Sequence, residues 1–380
     1  MTHRERALTA LNHETTDRVP MDLGATLCSG IHVEAYKSLM KYLDLDFTEK
    51  DLVMHDKMQQ LILPEERLLQ HLGVDFRGIF PGAQKKNPDR FLDDGTWIDT
   101  WGVYRKKPKG ALYYDMFKSP LSDDDVTIDY ILNDYQWPDP TDEGRFEGLR
   151  EKAEYLRNEV DCAIVLNYQA VFIHDSQYLR GFEGWYTDLI ENPERLCAIF
   201  DRTLEFYFEL GETLFKEVGE FADVVICSDD ISGQSGPLFN PDIYREYIKP
   251  RQKKLFDFVK EKTNAKLLYH TCGTVLPFID DLKEIGIDIM NPVQTFATDM
   301  DTKVLKKLCG KDIAFWGGID TQRILPFGTV EEVEREVDRV IDDLAVDGGF
   351  VLNAVHNIQA GVKPENIVAM YERGKNHKLK

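Results

Sequence analysis

The residues that most invite a chemical reading are His270, Thr271 and Cys272, at the end of the apolar run Leu267-Leu268-Tyr269 and directly before Gly273. The run reads as a short buried strand that stops at the glycine. Side chains alternate across a strand, so His270 and Cys272 point one way and Thr271 the other. An imidazole and a thiol side by side at a strand's carboxyl end are half of a tetrahedral zinc site. The best third donor is His356, at the end of the last apolar run of the chain. The plain alternative is a satisfied core histidine beside an inert thiol, because His-x-Cys is a short pattern.

The elements that would position these residues form a regular series. From about residue 160, short apolar runs at 163–166, 224–227, 267–269, 287–290, 313–316 and 350–352 alternate with amphipathic stretches. Helical patterns lie near 192–218, 241–262, 275–284, 301–308, 330–345 and 364–373. Asn192-Pro193 and Asn240-Pro241 are good helix starts, with a capping asparagine and proline at the first position. Six successive βα units imply a parallel sheet. Two earlier runs, 19–22 and 75–80, raise the count to eight strands. The predicted fold is therefore an α/β (β/α)8 TIM barrel with an N-terminal helical extension, and an open doubly wound sheet is the alternative. One barrel domain is expected over residues 1–380. Residues 96–117, centred on Lys107-Pro108-Lys109-Gly110, read as an inserted β-hairpin. Residues 118–145, acidic and proline-bearing, read as an exposed connection.

In a barrel, chemistry sits where strands end and loops begin. Those positions hold Asp22, Asn167, Tyr168, Gln169, Asp229, Asp230, Asn291 to Gln294, Asp320 and Asn353 to His356. A purely structural barrel does not need so polar a set. Of the adjacent Asp229 and Asp230, one is expected to face the pocket and the other to cap the loop or pair with a base. Gly317-Gly318 allows close backbone approach but is not a phosphate-loop pattern. Arg180 reads as an anion contact or, more simply, as half of a surface ion pair.

Composition narrows the partners. Forty-six Lys and Arg against 67 Asp and Glu give a formal net charge of −21, which opposes nucleic acid and anionic membrane. No apolar stretch approaches the roughly 18 residues of a membrane span. The start, Met-Thr-His-Arg-Glu-Arg, lacks a signal peptide's apolar centre, so a cytoplasmic location is expected. The six cysteines show no framework spacing, and most read as buried hydrophobes.

Several motifs carry a family resemblance: Arg4 to Leu8 (RERAL), Asp17 to Pro20 (DRVP), Asp229-Asp230 with Gly236-Pro237, Tyr244 to Arg251 (YREYIKPR), His270 to Gly273 (HTCG), Trp316 to Gln322 (WGGIDTQ) and His356 to Gln359 (HNIQ). With these the chain resembles, almost end to end, the uroporphyrinogen decarboxylase superfamily, which includes zinc- and corrinoid-dependent methyltransferases. The resemblance implies a (β/α)8 barrel. Decarboxylases of the superfamily carry an arginine-rich segment after the first strand that grips tetrapyrrole carboxylates. Residues 22–28 here, DLGATLC, contain no arginine, and desolvating several unpaired carboxylates is prohibitive. Decarboxylases also lack the His-x-Cys pair, which the methyltransferase branch has and completes with a cysteine in the last loop. Counting back from Pro364-Glu365-Asn366, that cysteine's place is taken by His356, as in the decarboxylases. Neutral imidazole is an acceptable zinc ligand. Gln294 falls near the place where some relatives have a fourth, carboxylate ligand.

The resemblance thus implies a methyltransferase moving a methyl group between a small methylated substrate and the cobalt of a corrinoid on a partner protein. It is of O-demethylase type where the substrate is a methyl ether. Zinc is expected on His270, Cys272 and His356, with Asp229 and His356 in catalysis. Asp22, Asn167, Tyr168, Asp230, Gln294 and Asp320 are expected around the substrate. The rivals are a metal-free decarboxylase using His356 and an aspartate, and a non-catalytic binder of corrinoid or tetrapyrrole. A homodimer is in keeping with a large acidic barrel, although no sequence feature compels one.

Overall fold

In the computed structural model, which describes residues 1–379, seven strands form one parallel sheet. They are β1 (Phe76–Ile79), β2 (Ala163–Ala170), β3 (Val224–Ser228), β4 (Lys266–His270), β5 (Ile289–Asn291), β6 (Ala314–Trp316) and β7 (Phe350–Val351), each beside the next in sequence. The segment 19–22 fills the gap between the two edges. Met21 bridges Leu352 in parallel. The Leu352 N–H donates to the Pro20 carbonyl at 2.8 Å, and the Asp75 N–H to the Met21 carbonyl at 2.8 Å. The sheet therefore closes into the expected barrel, and the doubly wound alternative, which needs two free edges, is excluded. Strands covered on both faces read as continuous apolar runs, which is why sequence alone locates them.

Phe76, Val165, Ile226, Leu268, Ile289, Trp316 and Val351 pack inside the barrel together with Ala7 and Leu11 of the helix His3–Leu11. That helix plugs the amino-terminal end, opened by a Thr2–Glu5 capping box. Asp75, fully buried just before β1, ties the plug to the closing segment. It takes Arg6 at 2.7 Å and Arg18 at 2.8 Å, and accepts the Met21 N–H at 2.8 Å. Among the described residues, no helix is long and apolar enough to cross a membrane.

Two regions depart from expectation. The hairpin expected over 96–117 is part of a larger sheet: four short strands (Arg90–Phe91, Trp97–Ile98, Tyr104–Lys106 and Asp115–Lys118) form an antiparallel sheet in chain order, the last two flanking the turn at Lys107–Gly110. Strands of two to four residues are too short to show alternation, so only the central turn was legible. The stretch 118–145 is not merely an exposed connection. Leu121 and Ile131 bury themselves against Leu179, Ala198 and Ile199, apolar positions too widely spaced among acids to show a period.

Candidate functional site

His270 ends β4, in register with Ser228 of β3 and Asn291 of β5. Its Nδ1 lies 2.5 Å from the Asn291 side-chain oxygen, and Asn291 in turn donates to the Trp316 carbonyl at 3.0 Å. An amide oxygen only accepts, so Nδ1 carries the proton and the Nε2 lone pair is left free. That Nε2 faces the Cys272 thiol at 3.5 Å. The His356 ring stands nearly perpendicular to His270, with 5.5 Å between centroids. Burial lowers the pKa of both imidazoles, that of His356 to about 4 with His270 beside it. Both are therefore neutral, the form that binds metal. Burial pushes the Cys272 thiol well above its ordinary value, so a nearby cation is needed to make it a thiolate.

The chain reverses directly after Cys272. Gly273 has φ +86°, and a Cβ there would lie 2.3 Å from the Gly233 carbonyl oxygen, so only glycine fits. Thr271 points away, as alternation predicts, and accepts the Ile231 N–H at 3.2 Å.

Two sets of donors share His270. One is Cys28, His270 and His356; the other is Asp230, His270 and Cys272. Within each set the ligand atoms lie within 4.8 Å of one another. Donors around a tetrahedral zinc stand roughly 3.5 Å apart, so either set needs only a small contraction. Donor type, neutral imidazoles and an outer partner that fixes the His270 tautomer all fit a zinc ion.

These groups line a cavity of about 590 Å³ at the barrel mouth, floored by Cys28, Asn167, Asp230, His270 and His356 and roofed by Trp97, Asp99 and Arg105 of the inserted sheet. A second cavity of about 470 Å³ adjoins it and shares Arg105, Tyr178 and His356. At the floor, β2 is irregular. Val225 pairs with Leu166 but Cys227 with Ala170, and Gln169 adopts φ +55°. Side chains still alternate through the irregularity: Asn167 and Gln169 line the cavity, while Tyr168, like Ile164 and Leu166, faces outward and packs on Phe215. The walls are acidic. Asp56, Asp89, Asp99, Asp175 and Asp230 face Lys57 and Arg105, and these two are already paired, with Asp89 at 2.8 Å and Asp99 at 3.0 Å. Burial raises the Asp56 carboxyl and takes that of Asp175 to about 7.

Of the residues expected around the substrate, Asn167 and Asp230 reach the cavity and four do not. Asp22 is fully buried, its oxygens taken by the Ala25 N–H at 3.1 Å and the Trp316 indole at 3.0 Å. Burial takes its carboxyl to about 6. The Tyr168 hydroxyl donates to the Tyr207 carbonyl behind the barrel wall. Gln294 accepts the Gly273 N–H at 2.7 Å. Asp320 caps the helix Ile324–Phe327 through the Ile324 N–H at 2.9 Å. The acidic pair divides as expected, with Asp230 facing the cavity. Asp229 instead caps the helix Phe172–Arg180, accepting the Ile173 N–H at 3.1 Å and the His174 N–H at 2.9 Å, so the catalytic role expected of Asp229 has no direct path to the cavity. Arg180 is no surface residue: it is buried and bonds Asp188 at 2.7 Å.

Cavity residues that escaped the sequence reading include Cys28, His174 and Arg105. Cys28 sits in a loop read only as lacking arginine, His174 lies in the first turn after β2, and Arg105 comes from the insertion. His174 Nδ1 is 3.3 Å from Asp229 and its Nε2 is 3.7 Å from Asp230. Burial alone would lower its pKa, but the two carboxylates outweigh this and raise it to about 9. A raised folded value stabilises fully below the ordinary value of about 6.5, and that stability is lost as pH rises through 9. Urea midpoints at pH 6.5 and 10 are therefore expected to differ by on the order of 1 kcal/mol or more in the wild type, with a smaller difference in His174→Gln. Equal differences in the two proteins would contradict the pairing.

Comparison with known proteins adds the following. The family described as Uroporphyrinogen decarboxylase (URO-D) matches residues 119–377. A uroporphyrinogen decarboxylase of Prochlorococcus marinus (strain MIT 9312) is 26% identical over 207 residues, covering 54% of this chain and 56% of its own length. A methylcobamide:CoM methyltransferase of Methanosarcina mazei is 26% identical over 206 residues, covering 53% and 55%. The chain thus spans a little over half the length of these curated relatives. Among solved structures, a methyltransferase from Methanosarcina mazei superposes with a TM-score of 0.68 at 19% identity, over 99% of this chain and 98% of that one. At that identity the likeness speaks for the fold.

Proposed function

The chain belongs to the uroporphyrinogen decarboxylase family, and from that membership we propose that it is a zinc-dependent methyltransferase working between a small methylated substrate and a corrinoid on a partner protein. The observation that carries this reading is the His270 Nε2 lone pair, held free by Asn291, 3.5 Å from the Cys272 thiol, on a ring that lines a substrate-sized cavity. Zinc held by His270, Cys272 and His356 would polarise a substrate ether oxygen, or keep a substrate thiol ionised at neutral pH. The chain's own groups do the rest. Asp230 fixes the Cys272 backbone by accepting its N–H at 2.7 Å. Gln169 offers its amide to the substrate wall, while Asn167 beneath it is engaged with the Ala25 carbonyl and the Leu27 N–H. His174, protonated at neutral pH, lines the same cavity and holds a proton that a demethylated oxygen would require.

The named activity of the Methanosarcina relative supports a corrinoid as methyl carrier. Six free cysteines support a reducing, cytoplasmic setting. The decarboxylase reading meets a physical obstacle. The cavity's Lys57 and Arg105 are already paired with Asp89 and Asp99, and its His174 with Asp229 and Asp230, so none of these cations is free to grip a polycarboxylate.

The test is transfer itself. Zinc-loaded protein is expected to demethylate a methoxylated aromatic, or methylate a small thiol, against reduced cobalamin or methylcobalamin respectively. Activity should vanish on chelation and return with zinc. Porphyrinogen decarboxylation that survives chelation, with no methyl transfer, would overturn the proposal.

A further inference from the structure

We infer that Cys28 is a ligand of the metal centre, carried to it by the loop after the closing segment; this rests on the zinc reading above. Its thiol shares a donor set with His270 and His356, all within 4.8 Å, whereas Cys272 shares its own set with Asp230. A centre using His270 and His356 together therefore has the Cys28 thiol within a ligand's reach, and with Cys272 also bound the substrate heteroatom would enter as a fifth donor, as catalytic zinc allows.

Barrel closure brings the two loops together. Because 19–22 pairs with the residue after β7, the loops that follow them run side by side. Ile31 bridges Ile358, the Ile358 N–H donates to the Gly30 carbonyl at 2.9 Å, and the His32 N–H to the Ile358 carbonyl at 2.9 Å. Cys28 and His356 thus hang from two strips of chain zipped together just beyond them.

The loop is also rigid. The Cys28 N–H donates to the Thr26 hydroxyl at 3.1 Å, and the Thr26 N–H to the Ser29 hydroxyl at 3.0 Å. Asn167 grips both sides of the turn, donating to the Ala25 carbonyl at 2.9 Å and accepting the Leu27 N–H at 3.3 Å. Asp22 holds Ala25, and Asn357 accepts the Gly30 N–H at 2.6 Å. All three of these side chains are fully buried. Burying an aspartate and two amides to fix nine residues of loop is costly unless the position of the loop matters. Holding a thiol beside two imidazoles is such a reason. Asp22, Asn167 and Asn357 then become positioning residues for the metal.

The experiment loads the full-length apoprotein with Co²⁺ or Zn²⁺ alone. Thiolate-to-cobalt charge-transfer absorption scales with the number of sulfur ligands. The wild type is expected to show a two-thiolate band, and Cys28→Ser and Cys272→Ser each about half of it. Cys197→Ser, a remote control, should leave the band unchanged. Zinc affinity of Cys28→Ser should fall by at least the roughly 10–100-fold typical of losing an outer partner, while the melting temperature of its apo form stays at the wild-type value. A full band and wild-type affinity in Cys28→Ser would overturn the inference and leave the zinc reading standing. A wild-type protein that takes up neither metal would overturn both.

Discussion

Replacing His270 by alanine is expected to abolish metal binding and methyl transfer together. It is the one residue common to both donor sets, so its loss leaves neither set with three donors and removes the ring that joins Cys272 to Cys28 and His356. The loss of zinc affinity should exceed the roughly 10–100-fold expected for Asn291→Ala, which removes only the outer partner of the ring. The two variants separate ligation from positioning. Asn291→Ala should bind zinc weakly and regain activity at high zinc, whereas His270→Ala should not. The fold should survive both, since His270→Ala leaves the Asn291 amide oxygen unpaired and Asn291→Ala leaves the His270 Nδ1–H and the Trp316 carbonyl so, each at a cost of about 1–3 kcal/mol. Equilibrium dialysis with zinc, with transfer rates measured at the same free metal, checks the ordering. A His270→Ala protein that keeps wild-type zinc would remove His270 from the centre.

The largest effect on stability is expected from Asp75→Ala. The carboxylate is fully buried and meets Arg6, with 8% of its side chain exposed, and Arg18, with 14%. Truncation leaves the Arg18 guanidinium without a carboxylate, takes from Arg6 one of its two (Asp17 remains), and leaves the Met21 N–H without its partner, in the segment that closes the barrel. Breaking a buried pair from one side costs about 3–5 kcal/mol, read as a fall in the urea midpoint. By contrast, Arg4 is 45% exposed against Asp223, and Arg4→Ala is expected to cost under about 1 kcal/mol. Burial pushes the Asp75 carboxyl up, yet His3 and Arg18 hold it below the usual range. A depressed folded value means that this stability is present above the ordinary carboxylate pKa and is lost as pH falls through the folded one. The wild type should therefore lose stability in acid more steeply than Asp75→Ala does. Equal acid slopes, or a midpoint shift below that of Arg4→Ala, would contradict the role given to this cluster.

The barrel was legible because its physics is local. Strands covered on both faces are apolar from end to end, and the helices between them carry capping asparagines and prolines at predictable places. His270 and Cys272 were legible for the same reason, since two residues on one strand share a face by period alone. Direction at the strand ends was not. Asp320 ends a strand but caps the helix that follows. The Asp-x-x-x-Ile spacing before Ile324 was the available cue. Cys28, His174 and Arg105 meet the metal donors only through barrel closure, the turn into the next helix and the inserted roof. None of those relations leaves a periodic trace in sequence.

X-ray absorption at the zinc edge of the loaded protein reads the centre most directly. One zinc per chain is expected, with imidazole nitrogen at about 2.0–2.1 Å and sulfur at about 2.3 Å, and His270→Ala should empty the site. A protein that holds no zinc, or one whose zinc is surrounded by oxygen and nitrogen without sulfur, would contradict a metal centre built on His270 and the thiol of Cys272.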